Sequence, residues 1–135
     1  MKKSISKLKK DLDKWFSLYI RLRDATEEGL VQCFTSGRVY HYKKIHAGHF
    51  MSRRHLATRW CEVNVQPQSA KDNLYSQGEQ YKFGLNLDAK YGGGTAEELQ
   101  YKARTILKLS RIEYEEKISY YKSLVENLKK EKGIE

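Results

Sequence analysis

The chain has 135 residues, with 26 Lys and Arg against 17 Asp and Glu and a net charge of +9 at pH 7. Its 39% of hydrophobic residues suffices for one modest core, no apolar run approaches the roughly 18 residues of a membrane span, and two cysteines, Cys33 and Cys61, are too few for a disulfide framework. The positive excess points to a polyanionic partner, whether nucleic acid, membrane surface or acidic protein, without choosing among them.

The basic start "MKKSISKLKK" is followed by no apolar stretch, so it does not read as a secretory signal, and free thiols in a reducing cytoplasm are expected. Ile5, Leu8, Leu12, Trp15, Phe16, Tyr19 and Ile20 recur mostly at three- and four-residue spacing and predict an amphipathic helix ending near Asp24. "LVQCF" and "RVYHYKK", either side of a "TSG" turn at Gly37, predict a β-hairpin. Residues 46–69 lack a convincing period and are expected as a long ordered loop, with Pro67 disfavouring helix just before it. From Ser69 a helix is expected, weakened by Gly78 and Gly84 and broken by "YGGG" at 91–94. Thr95 with Glu98, and Ser110 with Glu113, have capping-box spacing and predict helix starts. The last helix should carry Ile112, Ile118, Tyr121, Leu124, Val125 and Leu128 towards Gly133, and its "LKKEKGIE" tail should fray. This is an α+β domain over 1–135: an N-terminal helix within 1–28, a β-plus-helix core over 30–88 and C-terminal helices over 95–133.

The central stretch "HAGHFMSRRHLATRWCEVNVQPQSAKDN", residues 46–73, carries the chemistry. A hairpin, a histidine, a loop asparagine and then an asparagine on a helix is the order of parts in a ββα-metal nuclease. Phosphodiester hydrolysis needs a base of near-neutral pKa to take a proton from water, which suits His49. It also needs a hard divalent cation on oxygen ligands, which suits the amide of Asn73. Asn64 is then expected to hold the imidazole by a hydrogen bond and fix its tautomer.

Read together and in order, "KLKKDLDKWFSLYIRLRDA", "VQCFTSG", "AGHF", "NVQPQSAKDN", "YKFGL" and "KYGGGTAEEL" resemble the phage recombination endonucleases of the NinG (Rap) family, from about Ser4 to the last helix. Members typically read as a basic helix, a CxxCG knuckle, AGHF or AGHY, N-x-x-x-Q-C-x-x-C-N, then YR-x-GL. The resemblance implies a central ββα-metal (HNH, treble-clef-like) unit. It implies divalent-metal-dependent cleavage of branched DNA, such as Holliday junctions and D-loops, in phage homologous recombination. The setting would then be the host cytoplasm, with other phage recombination proteins as partners. It places His49 as general base, Asn64 as the positioning asparagine and Asn73 as a ligand of one Mg²⁺ or Mn²⁺ ion.

Two departures stand out. Many ββα-metal enzymes have an aspartate before the base histidine, where this chain has Gly48; His46 is a candidate to complete the coordination, although on an extended strand it would face away from His49. Relatives also hold a structural zinc with two CxxC pairs, where this chain has "CFTS" (Cys33, Ser36) and "SAKD" (Ser69, Asp72). A structural zinc is therefore expected to be absent; a site rebuilt from Cys33, Asp72 and His41 is the weaker alternative.

Arg53, Arg54 and Arg59 after the histidine, Lys43 and Lys44 before it, and Lys71 beside Asn73 are expected to hold the DNA backbone. The "ISYYKSLVENL" stripe is read as internal packing, with a homodimer left open, and no membrane partner is expected. Two other readings compete: a family member that grips branched DNA without cutting, and a basic RNA-binding or regulatory protein supported only by charge.

Overall fold

A computed structural model describes residues 2–135. It is a mixed α+β structure with helices at both ends and two small antiparallel sheets between them. Helix α1 (Ile5–Arg23) starts where the Ser4 hydroxyl accepts the Lys7 N–H, and it ends at Asp24 as its periodicity predicts. Leu8, Leu12, Phe16 and Ile20, each four residues from the next, are all buried. They face helix α5 (Arg111–Lys132), whose Tyr121 meets the Phe16 ring edge-on at 5.0 Å. Glu62 ties both helices to the middle of the chain, accepting from Tyr19 at 3.2 Å and Tyr121 at 2.9 Å.

The Ser110–Glu113 capping box of α5 forms as expected. Ile112 is 66% exposed, because the face of α5 against α1 is set by Tyr114, Tyr121 and Val125. The tail does not fray. Gly133 ends the helix with φ +67° while Ile134 N–H donates to Lys129, and the Lys132 ammonium donates to the Ala25 carbonyl.

Strands β1 (Leu30–Gln32) and β2 (Val39–His41) form the expected hairpin, with Gly37 at φ +77° in its turn. The expected long loop over 46–69 is instead a second hairpin. Strand β3 (His46–His49) pairs with β4 (Val65–Gln68), in the register His46↔Gln68 to His49↔Val65, and a short helix α2 (Leu56–Arg59) lies between them. All four β4 residues are buried, so the strand shows no alternation in sequence. Specific bonds hold its glutamines: Arg23 and Tyr91 reach Gln66, and Gln68 donates to Thr35 and the Gly78 carbonyl, while Gln68 Oε1 is buried without a partner among the described residues. The Pro67 carbonyl accepts Phe34 N–H at 2.7 Å, joining the two hairpins.

The helix expected from Ser69 forms only from Gln80. A π-helical turn (Lys71–Tyr75) and a 3₁₀ turn (Gln77–Glu79) come first, and α3 then runs Gln80–Tyr91. Helix α4 (Thr95–Ala103) lacks the expected capping box: Gly94 is its cap, the Thr95 hydroxyl donates back to Gly92, and Asp88 accepts Ala96 N–H. Phe50, Phe83, Leu87 and Leu99 close a smaller core under α3 and α4.

Candidate active site

A cleft of about 710 Å³ opens between α1, β3 and the π-helical turn. His46, His49, Arg53 and Asn73 all line it, together with three residues of α1 that sequence reasoning did not single out: Asp13, Ser17 and Arg21. Their spacing of four residues puts them on one helix face, but that signal is shared by any solvated stripe. Ala47 lines the cleft too, so β3 lies along its floor and contributes both histidines despite their offset of three.

His49 is held through its backbone neighbour in space. Its Nε2 lies 2.9 Å from the Arg59 carbonyl oxygen. A carbonyl can only accept, so Nε2 carries the proton and Nδ1 keeps the basic lone pair. Burial pushes the imidazole below its ordinary value, and Arg53 and Arg59 add to this, while the Arg59 carbonyl and Asp13 oppose it. The shift favours the neutral ring. Arg59 is itself fixed by Asp13, which accepts from its Nε at 3.1 Å and Nη2 at 2.5 Å, and from Trp60 Nε1 at 2.9 Å. This corrects Arg59 as a DNA contact: its guanidinium is committed to Asp13 and its side chain is 18% exposed.

Asn64 makes no hydrogen bond to His49, contrary to the sequence expectation. It is fully buried and closes the loop after β3, accepting Met51 N–H at 2.8 Å and donating to the Met51 and Thr58 carbonyls at 3.0 Å each. Its own carbonyl accepts Phe50 N–H. The residue fixes the segment that carries Arg59, and so acts on the imidazole at one remove.

Asn73 stands on the π-helical turn with its amide nitrogen 3.1 Å from His46 Nδ1. This contact makes the two residues a linked pair. With the Asn73 amide donating, His46 Nδ1 accepts and Oδ1 of Asn73 is left for a cation. With the amide turned over, His46 donates from Nδ1, Asn73 orients it, and the free ligand atom becomes His46 Nε2. Either way a hard divalent ion finds one or two neutral protein donors here, which fits an ion completed by water and substrate phosphate. Among the described residues, no three His, Cys, Asp or Glu side chains converge on one point.

Gly48 is buried, and a Cβ there would lie 2.1 Å from Gln68 Oε1 and 2.8 Å from Gln68 Cβ. An aspartate before His49 has no room in this hairpin; the space is filled from β4.

The positions where relatives carry cysteine pairs come together. Cys33 Sγ accepts Ser36 N–H at 3.4 Å and Ser69 N–H at 3.2 Å, and it lies 4.0 Å from Asp72 Oδ2. Asp72 accepts the Thr35 hydroxyl at 2.6 Å, and Ser69 Oγ accepts Asp72 N–H at 3.2 Å. One thiol, one carboxylate and two hydroxyls do not fit a tetrahedral zinc site. Burial alone would push the Cys33 thiol up, but the bonds from Ser36, Ser69 and Thr35 bring it down to about 7. His41 is not part of this cluster: its ring packs on Tyr42, and its Nδ1 accepts Lys43 N–H.

Of the expected backbone grips, Arg53 and Lys43 line the cleft, and Arg54, Lys44 and Lys71 are exposed outside its lining. Arg21 adds a cation from α1, bonded to Ser17 and to the Tyr42 carbonyl.

The sequence matches the family model described as bacteriophage lambda NinG protein over residues 1–131. No curated protein and no solved structure matches it.

Proposed function

This chain belongs to the bacteriophage lambda NinG family, a phage recombination-region family, and on that premise we propose that it is a divalent-metal-dependent, HNH-type endonuclease (NinG/Rap) acting on branched DNA. The observation that carries the reading is the imidazole of His49, held through Nε2 on the Arg59 carbonyl, in the same cleft as the His46–Asn73 pair. His49 Nδ1 takes the proton of the attacking water while the Nε2–H bond to the Arg59 carbonyl strengthens as the ring becomes cationic. Asp13 supports that change at a distance, since it holds Arg59 in place and its charge favours the imidazolium. Arg53, Lys43 and Arg21 hold the scissile phosphate and its neighbours. Asn73, or His46 through Nε2, would hold a Mg²⁺ or Mn²⁺ ion, whose chemistry is to neutralise charge on the phosphate and leaving oxygen. Asn64 is a positioning residue in this scheme.

The hydrogen-bonded cluster of Cys33, Thr35, Ser69 and Asp72 takes the place of a structural zinc, with the α1–α5 packing as the main source of rigidity. A specific observation favours one competing reading, a branched-DNA-binding protein that does not cut: Asp13, the one carboxylate lining the cleft among the described residues, is already engaged by Arg59 and Trp60. Incubating the protein with a four-way junction and linear duplex, in Mg²⁺, Mn²⁺ or EDTA, separates the two. Cutting of the junction only with metal supports the nuclease; binding without cutting supports the alternative.

A further inference from the structure

Immediately after Asn73, two large apolar side chains stand in solvent: Leu74 is 60% exposed and Tyr75 is 82% exposed. Leu74 also lines the catalytic cleft, so this apolar surface is continuous with it. Exposed side chains are common, but these sit on a segment held firmly on both sides. Before them, Asp72 is bonded to Thr35 in the buried cluster and Asn73 to His46. After them, the Gly78 carbonyl accepts Gln68 Nε2 at 2.7 Å, and Gly78 is buried. The chain makes a π-helical turn here, and Gln77 and Glu79, on either side of Gly78, sit at φ +51° and +48°, conformations that side-chain-bearing residues adopt at a cost. The backbone is thus bent at some cost into a shape that presents Leu74 and Tyr75 outwards.

We propose that Leu74 and Tyr75 form a wedge that stacks on, and parts, the unpaired or distorted bases at a DNA branch point, which makes them the residues that select branched over linear DNA. The inference rests on the reading of the cleft as a DNA site. Charge argues for this occupant: exposed Lys71 lies on the same turn, and Lys43, Arg53 and Arg21 line the adjoining cleft, so whatever covers the wedge is polyanionic next to it. Chemistry argues for a base in particular. A duplex offers its phosphates to such a surface but keeps its bases stacked, whereas a junction has open base faces at its centre. An aromatic ring gains most by stacking on an open face, and an aliphatic neighbour acts as the insert between steps. The position fits as well, since the wedge adjoins the residue proposed as metal ligand and so fixes the distance from branch point to cut.

The test uses the full chain and a four-way junction with 2-aminopurine at its centre, read by fluorescence in EDTA, alongside dissociation constants for junction and linear duplex. Wild type should change the 2-aminopurine signal and prefer the junction. The Leu74→Ser/Tyr75→Ala double variant, with an unchanged circular-dichroism spectrum, should lose the signal and reduce the junction preference on the order of tenfold or more, while its duplex affinity holds. Tyr75→Phe should keep both properties, and Tyr101→Ala, on α4 outside the cleft, should behave as wild type. If the double variant retains signal and preference, or if wild type binds the junction without perturbing the central bases, the wedge is wrong. A wild type that perturbs the bases but never cuts in Mg²⁺ or Mn²⁺ leaves the wedge standing and removes the nuclease reading.

Discussion

The imidazole of His49 donates from Nε2 to the main-chain carbonyl of Arg59 at 2.9 Å, which leaves Nδ1 as its one basic nitrogen. The bond spans ten residues of chain, and Asn64 and Asp13 hold its far end. A histidine that faces a cleft is thereby given one tautomer and one orientation before any substrate arrives.

His49 makes a pH signature. Burial holds its pKa below the ordinary 6.5, so folding favours the uncharged ring. As pH falls below about 6.5, the unfolded chain binds the proton first, and stability is lost through the lowered folded value. Cleavage should rise with pH through that lowered value and level off by neutrality. His49→Ala should flatten the acid limb of the stability curve, measured by urea denaturation from neutrality down through the region below the ordinary histidine value.

Asp13→Asn keeps the side chain's shape and removes its charge, leaving the Arg59 guanidinium without its counterion. Stability should fall by about 1–3 kcal/mol, and junction cleavage by roughly 10- to 100-fold as Arg59 and the imidazole lose register. Because the Asp13 charge favours the imidazolium, its loss should also move the acid limb of the cleavage profile to lower pH. A purely structural Asp13 would reduce the amount of active protein and leave the profile where it is.

For the cluster at Cys33 and Asp72, Asp72→Ala would strip the Thr35 hydroxyl of its acceptor in a buried setting. The expected cost is about 1–3 kcal/mol, seen as a lower midpoint of thermal unfolding. Prolonged dialysis against a strong chelator should leave that midpoint unchanged. Elemental analysis finding one zinc per chain, with a midpoint that drops on chelation, would contradict the proposed replacement of metal by hydrogen bonds.

Gly48→Ala should cost about 1–3 kcal/mol by overpacking, since the new methyl would meet the Gln68 side chain at its root as well as its tip. Pairing it with Gln68→Ser should recover part of the loss, and chemical denaturation of the single and double variants measures both.

The sequence made the outer frame legible because its signals are local. The stripe of α1, the Gly37 turn and the Ser110–Glu113 cap each depend on neighbours within four residues. The middle was opaque because its order comes from distant partners. β4 is buried on both faces by Arg23, Thr35 and Tyr91, so Val65–Gln68 carries no alternation. The capping box at Thr95 fails because Asp88, eight residues from Ala96, caps that turn instead. Among candidate site residues, the pattern picked out His46, His49 and Asn73, which do share a cleft. It misread the partner of His49, since a main-chain carbonyl leaves no mark in the sequence, and it could not separate Arg59 from Arg53. Asp13 was invisible because its partners lie 46 and 47 residues away.

The central claim is metal-dependent cleavage of branched DNA through His49, and the most direct measurement is single-turnover cutting of a four-way junction by wild type and His49→Ala in Mn²⁺ or Mg²⁺, with EDTA and linear duplex as controls. Wild type should cut the junction in metal and not in EDTA, and His49→Ala should bind it with similar affinity yet cut about 10²- to 10⁴-fold more slowly. A His49→Ala protein that cuts as fast as wild type, or a wild type that binds junctions and never cuts them, would contradict the account.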